Sequence, residues 1–126
     1  MHGQGKKALV VEDNHFHQKM VATLLESLGY TVFTAADGDT GLEVVNSEHD
    51  LELIVTDIFM PKKEGIGFIR AVKSRHLQAK IIVVTGAVNF SVISDTAMLF
   101  GADLIFKKPI DIDDFTEKLN QLVAVS

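Results

Sequence analysis

Short apolar blocks and segments of helical period alternate five times along the chain, and that alternation restricts the fold more than any single motif. The blocks are ALVV at 8–11, TVFTA at 31–35, LELIV at 51–55, KIIVV at 80–84 and DLIF at 103–106. They are β-rich and nearly continuous in hydrophobicity, the pattern of parallel strands covered on both faces, so five buried strands are expected. Between them apolar residues recur at spacings of three and four. Phe16, Met20, Val21, Leu24, Leu25 and Leu28 form the core stripe of a first helix that Gly29 terminates. Further helices are predicted over 40–47, 65–75, 90–100 and 112–123. Asp111 caps the last of these, which turns Ile112, Phe115, Leu119 and Leu122 to one face. Strand and helix in strict succession predict a parallel sheet with right-handed crossovers and helices on both faces, a doubly wound α/β fold.

With 126 residues the chain is expected to form a single domain that buries about two-thirds of its unfolded surface. Twelve basic against seventeen acidic residues give a net charge of −5, which disfavours nucleic acid or an anionic membrane as a direct partner. The absence of cysteine excludes disulfides and thiolate zinc sites. No apolar run reaches membrane-spanning length, and the amino end MHGQGKK lacks the apolar core of a secretion signal, so the expected location is the cytoplasm.

In doubly wound sheets ligands gather beyond the carboxyl ends of the strands, so the residues there carry the functional reading. The first strand ends in Glu12, Asp13 and Asn14, the third in Asp57, the fourth in Thr85 and Gly86, and the fifth in Lys107, Lys108 and Pro109. Singly, each has an ordinary explanation: Asp13 or Asn14 caps a helix, Asp57 opens a turn, and a lysine before proline is a solvated end. Jointly they bring three carboxylates, a hydroxyl and an ammonium to one crevice. Carboxylates so close repel one another unless a cation offsets them, and hard oxygen ligands suit Mg²⁺ or Mn²⁺. Phosphoryl transfer needs such a cation, a nucleophile and fixed donors for the phosphoryl oxygens. Asp57 can be the nucleophile, and Thr85 with a lysine can be the donors.

The segments LVVEDN, VTDIFMP, GIGFIRAVK, IIVVTGA and GADLIFKKPI together resemble the receiver domains of two-component response regulators, and the chain is similar to the stand-alone chemotaxis regulator. The resemblance runs from about Lys7 to Val123. It implies the flavodoxin-like (βα)5 sandwich with strand order 2-1-3-4-5, an order for which the chemotaxis regulator is itself a standard example. It further implies that Glu12 and Asp13 form an acidic metal pair, that Asp57 accepts the phosphoryl group, and that the backbone carbonyl of Phe59 completes the Mg²⁺ ligands. Thr85 and Lys108 would contact the phosphoryl oxygens, and the Lys108–Pro109 bond would be cis. Lys108 is preferred to Lys107 because the family lysine directly precedes the proline, and because alternation along a strand turns only one of the pair inward.

The implied function is a phosphorylation-controlled switch rather than an enzyme. A histidine kinase or histidine phosphotransfer protein donates to Asp57, and the face of the fourth helix, fifth strand and fifth helix meets a downstream protein. The chain would act as a monomer or a phosphorylation-dependent dimer, without an output domain. Ile105 stands where the family often has a switching aromatic. Phe59 and Ala87 offer no side-chain hydrogen bond to orient a hydrolytic water, so self-dephosphorylation is expected to be slow. Val92, Leu99 and Ile105 are expected to form an apolar outer patch, while His15 and His17, two apart on a helix, are expected to be surface residues. A metal-dependent phosphohydrolase and a phosphorylation-independent interaction module are the competing readings. The first lacks a second aspartate two residues after Asp57. A flavin or dinucleotide site is weaker still, since EDNHFH contains no glycine-rich phosphate loop.

Overall fold

Each apolar block becomes a strand, and each segment of helical period becomes a helix. The computed structural model describes residues 5–58, 65–76, 78–86 and 90–124. Among the described residues the strands are β1 (Lys7–Val11), β2 (Thr31–Ala35), β3 (Leu51–Thr56), β4 (Lys80–Thr85) and β5 (Leu104–Lys107). The helices between and after them are α1 (His15–Ser27), α2 (Gly38–Ser47), α3 (Gly65–Arg75), α4 (Phe90–Leu99) and α5 (Ile112–Ala124). All neighbouring strands pair in parallel in the order β2-β1-β3-β4-β5, as the resemblance implied.

Alternation along the central strands divides the core into two layers. Leu9, Val11, Ile54, Ile81 and Val83 pack with Val45 of α2, Phe68 and Val72 of α3 and Ala97 of α4. Ala8, Val10, Leu53, Val55 and Ile82 face the other way, against Val21 and Leu25 of α1 and Phe115 and Leu119 of α5. Gly41 of α2 sits where a Cβ would lie 3.0 Å from both Phe68 Cε1 and Val11 Cγ2. Gly41→Val is therefore expected to lower stability by about 2 kcal/mol, because overpacking a filled core typically costs about 1–3 kcal/mol. Urea denaturation checks this.

Helix starts follow side-chain capping. Asn14 Oδ1 accepts the His17 N–H at 2.9 Å, and Asp111 Oδ1 accepts that of Asp114 at 3.0 Å. Asp37 Oδ1 accepts the Thr40 N–H at 2.8 Å, so α2 begins at Gly38, earlier than periodicity places it. Gly29, at φ +98°, follows α1 in the left-handed conformation expected of a C-terminal cap.

Several expectations are corrected. Only β1, β3 and β4 are buried along most of their length; β2 and β5 are half covered, because each is an edge strand with a single neighbour. Phe16 is 88 % exposed, and Met20 and Ile112 are also exposed: Phe16 and Met20 lie on the face of α1 turned away from Val21 and Leu25, and Ile112 lies in the first turn of α5. On α4, Leu99 is 82 % exposed as expected; Phe100, just after the helix, is also exposed, with the Arg70 guanidinium 5.5 Å from its ring centre. Ile105 packs against the core beside α4 instead of joining an outer patch. The Val92 side chain lies outside the described residues. No helix among the described residues is long and apolar enough to cross a membrane.

Candidate functional site

Strand register assembles the site. Val11 pairs with Thr56, so the residues that follow, Glu12 and Asp57, emerge side by side at the carboxyl end of the sheet. The Asp57 N–H donates to the Val11 carbonyl at 3.1 Å and the Glu12 N–H to the Ala35 carbonyl at 3.0 Å, which holds both backbones in line. Glu12 and Asp57 are buried, at 4 % and 6 % exposure, and Asp13 beside them is exposed. One carboxylate oxygen from each of the three lies within 4.8 Å of the others.

Lys108 reaches the same crevice from the end of β5. Its Nζ is 2.7 Å from Asp57 Oδ2 and 2.7 Å from Glu12 Oε1, while Lys107 is exposed at the strand's last position. The Lys108 N–H donates to the carbonyl of buried Thr85 at 2.9 Å, which sets the lysine against the end of β4. The Lys108–Pro109 peptide bond is cis, as the resemblance implied. Phe59 and Ala87, whose backbone and side chain entered the sequence reading, lie outside the described residues.

The start of α1 closes the crevice from the side. The Asn14 N–H donates to Glu12 Oε2 at 3.0 Å, and Gln18 Nε2 donates to the carbonyls of Glu12 and Ala35, each at 3.0 Å. His17 is not a free surface residue: its ring is mostly covered, with Nδ1 3.6 Å from Glu12 Oε1. His15, two residues earlier, is exposed. Periodicity missed these roles because a capped helix following the strand turns its first residues back over the strand end. Comparing His17 with the acidic pair at the preceding strand end, instead of with His15, would have found it.

The electrostatics follow from this crowding. Burial raises the Glu12 carboxyl above its ordinary pKa, against the lowering effect of Lys108 and the Asn14 N–H. Burial alone would lower the Lys108 ammonium, but the hydrogen bonds and charges of Asp57 and Glu12 overcome it and raise the group above the usual lysine value. His17 is lowered, by burial first and by the Lys108 charge second, against the raising effect of Asp57. Three carboxylates against one ammonium leave an excess of two negative charges among hard oxygen donors. The donor set therefore fits a divalent cation of the magnesium kind.

A buried carboxylate beside an ammonium in an acidic crevice, at the carboxyl edge of a doubly wound sheet, fits a divalent cation and phosphorylation of the aspartate. The chain belongs to the response regulator receiver domain family, whose family model matches residues 8–120. It is 31 % identical over 110 residues to the probable chemotaxis protein CheY of Rhizobium etli, covering 85 % of this chain and 84 % of that protein. A response regulator receiver domain protein of Methanospirillum hungatei superposes with a TM-score of 0.87 at 28 % identity, over 95 % of this chain and 94 % of that one. A response regulator of Burkholderia pseudomallei, solved with a phosphorylated aspartic acid, a calcium ion and citrate, gives 0.82 at 27 % identity, over 94 % and 69 %. The chain spans about half the length of several other curated relatives it matches.

Proposed function

We propose that this chain is the phosphoacceptor switch of a two-component relay, acting in the cytoplasm, and that Asp57 takes the phosphoryl group. The observation that carries the reading is the buried Asp57 carboxylate held 2.7 Å from the Lys108 ammonium in a crevice with excess negative charge. An Asp57 carboxylate oxygen attacks the phosphorus of a partner's phosphohistidine. The O–P bond forms as the N–P bond breaks, and the imidazole leaves with the electron pair and takes up a proton. Lys108 and the Thr85 hydroxyl donate to the phosphoryl oxygens, and the Lys108 ammonium offsets their charge. Mg²⁺, with Mn²⁺ as substitute, would be held by Glu12, Asp13, Asp57 and the Phe59 carbonyl, and supplies charge neutralisation. The product decays slowly, since neither Phe59 nor Ala87 carries a side chain that orients water. Intact mass after incubation with acetyl phosphate and Mg²⁺ tests the reading: one phosphate-sized increase supports it, and an unchanged mass defeats it.

The phosphohistidine donor docks on α1. Phe16 and Met20 line one apolar groove with Asn14 and His17, the two residues that also border the acidic crevice. A helical partner seated there brings its phosphohistidine to Asp57. The downstream protein meets the face of α4, β5 and α5, where Leu99 is exposed. Phe16→Asp is expected to slow phosphoryl transfer from the protein donor at least tenfold, in line with the loss of an exposed aromatic anchor. Uptake from acetyl phosphate should stay within twofold, and parallel rates with the two donors decide the matter.

A further inference from the structure

We infer that His17 is a positioning residue for Glu12, holding that carboxylate in the crevice when Lys108 turns to the phosphoryl group. The inference rests on the proposed reading of the crevice as a cation and phosphoryl site. Glu12 is held at both oxygens: Oε2 by the Asn14 N–H at 3.0 Å, and Oε1 by Lys108 Nζ at 2.7 Å. The second of these contacts is shared, since the same ammonium lies 2.7 Å from Asp57 Oδ2. Once Asp57 carries a phosphoryl group, its oxygens compete for Lys108 and Glu12 Oε1 loses its charged donor.

Another side-chain nitrogen already stands at that oxygen. His17 Nδ1 is 3.6 Å away, beyond hydrogen-bond length while Lys108 is in place and within reach of it after a shift of several tenths of an ångström. The ring is held there by the chain. The backbone N–H of His17 donates to Asn14 Oδ1 at 2.9 Å, and the neighbouring Gln18 fastens the same turn of α1 to the ends of β1 and β2. The ring nitrogen stands on the side of Oε1 that faces α1, so a short movement brings an N–H donor to the carboxylate. Donors behind a ligating carboxylate orient it, and their loss typically weakens metal binding about 10–100-fold.

Mn²⁺ is the probe, with its affinity read at pH 7.5 from the free-ion electron paramagnetic resonance signal. In a Lys108→Met background, where Glu12 Oε1 has lost its charged donor, His17→Ala is expected to weaken Mn²⁺ binding about tenfold with the thermal midpoint unchanged. His17→Asn, which places an amide N–H near the position of Nδ1, should recover most of the loss. In a Glu12→Gln background the alanine change should have less than a twofold effect, because the two residues act as one unit. The inference is overturned by unchanged affinity when His17→Ala is added to Lys108→Met, by an equal loss in the Glu12→Gln background, or by failure of asparagine to restore binding. If the wild-type protein does not bind Mn²⁺, the cation reading itself fails and this inference falls with it.

Discussion

Asp57→Asn abolishes phosphoryl uptake: with acetyl phosphate and Mg²⁺ the native protein gains one phosphate in intact mass, and the variant gains none. The amide is nearly isosteric with the carboxylate, so it fills the same buried position, but it lacks the anionic oxygen that attacks phosphorus. Lys108 keeps Glu12 as an ion-pair partner in the variant, so the fold survives; an unchanged far-ultraviolet circular dichroism spectrum checks this. A mass gain by the variant equal to that of the native protein would move the acceptor elsewhere and sink the assignment.

Lys108→Met has the next largest effect, on stability and chemistry together. Two buried carboxylates, Glu12 and Asp57, share this ammonium, and removing it leaves like charges facing one another. Stripping one partner from a fully buried pair costs about 3–5 kcal/mol. The lysine keeps partial contact with water, so a loss of about 1–2 kcal/mol is expected here. A divalent cation at ten times its dissociation constant should restore about 1.4 kcal/mol of that by mass action. Urea midpoints with and without Mg²⁺ measure both effects, and a variant as stable as the native protein without Mg²⁺ would contradict the argument. Phosphoryl uptake should fall about 10²–10³-fold, the usual consequence of losing one preorganised donor to a developing charge.

The pH dependence of that stability loss follows from the direction of each shift. The folded-state pKa of Lys108 is raised, so its contribution is fully present below the ordinary lysine value and is lost only as pH rises through the raised one. Between pH 7 and 9 the difference between native and variant should therefore be flat. Towards acid it narrows. Glu12 already titrates above its ordinary value through burial, and without Lys108 it rises further, so protonation relieves the variant first.

Much of this arrangement is legible in the amino-acid sequence. Buried parallel strands have to be apolar nearly throughout, so Val10, Val55 and Val83 announce their strands, and the polar residue ending each run marks the functional edge. Edge strands were misread because β2 carries the same apolar residues as β1 while a single neighbour leaves them half covered. At Phe16 and Met20 the mixed spacing of three and four joins two faces of α1, of which only that of Val21 and Leu25 packs on the sheet, while Ile112 shares the face of Phe115 but lies in the first turn of α5. His17 was misread because its partner is on the preceding strand end and not on its own helix.

The amino-acid sequence by itself determined the alternation of elements, the crossover topology, and the residue types at four strand ends, since these depend on local periodicity and chain connectivity. Tertiary structure alone decided that one lysine is shared at equal distance between Glu12 and Asp57, that His17 stands over the same carboxylate, and that Phe16 lies open beside it. Those relations depend on strand register and on how α1 is seated across the sheet edge, and distances between side chains remote in the chain are set by packing rather than by spacing.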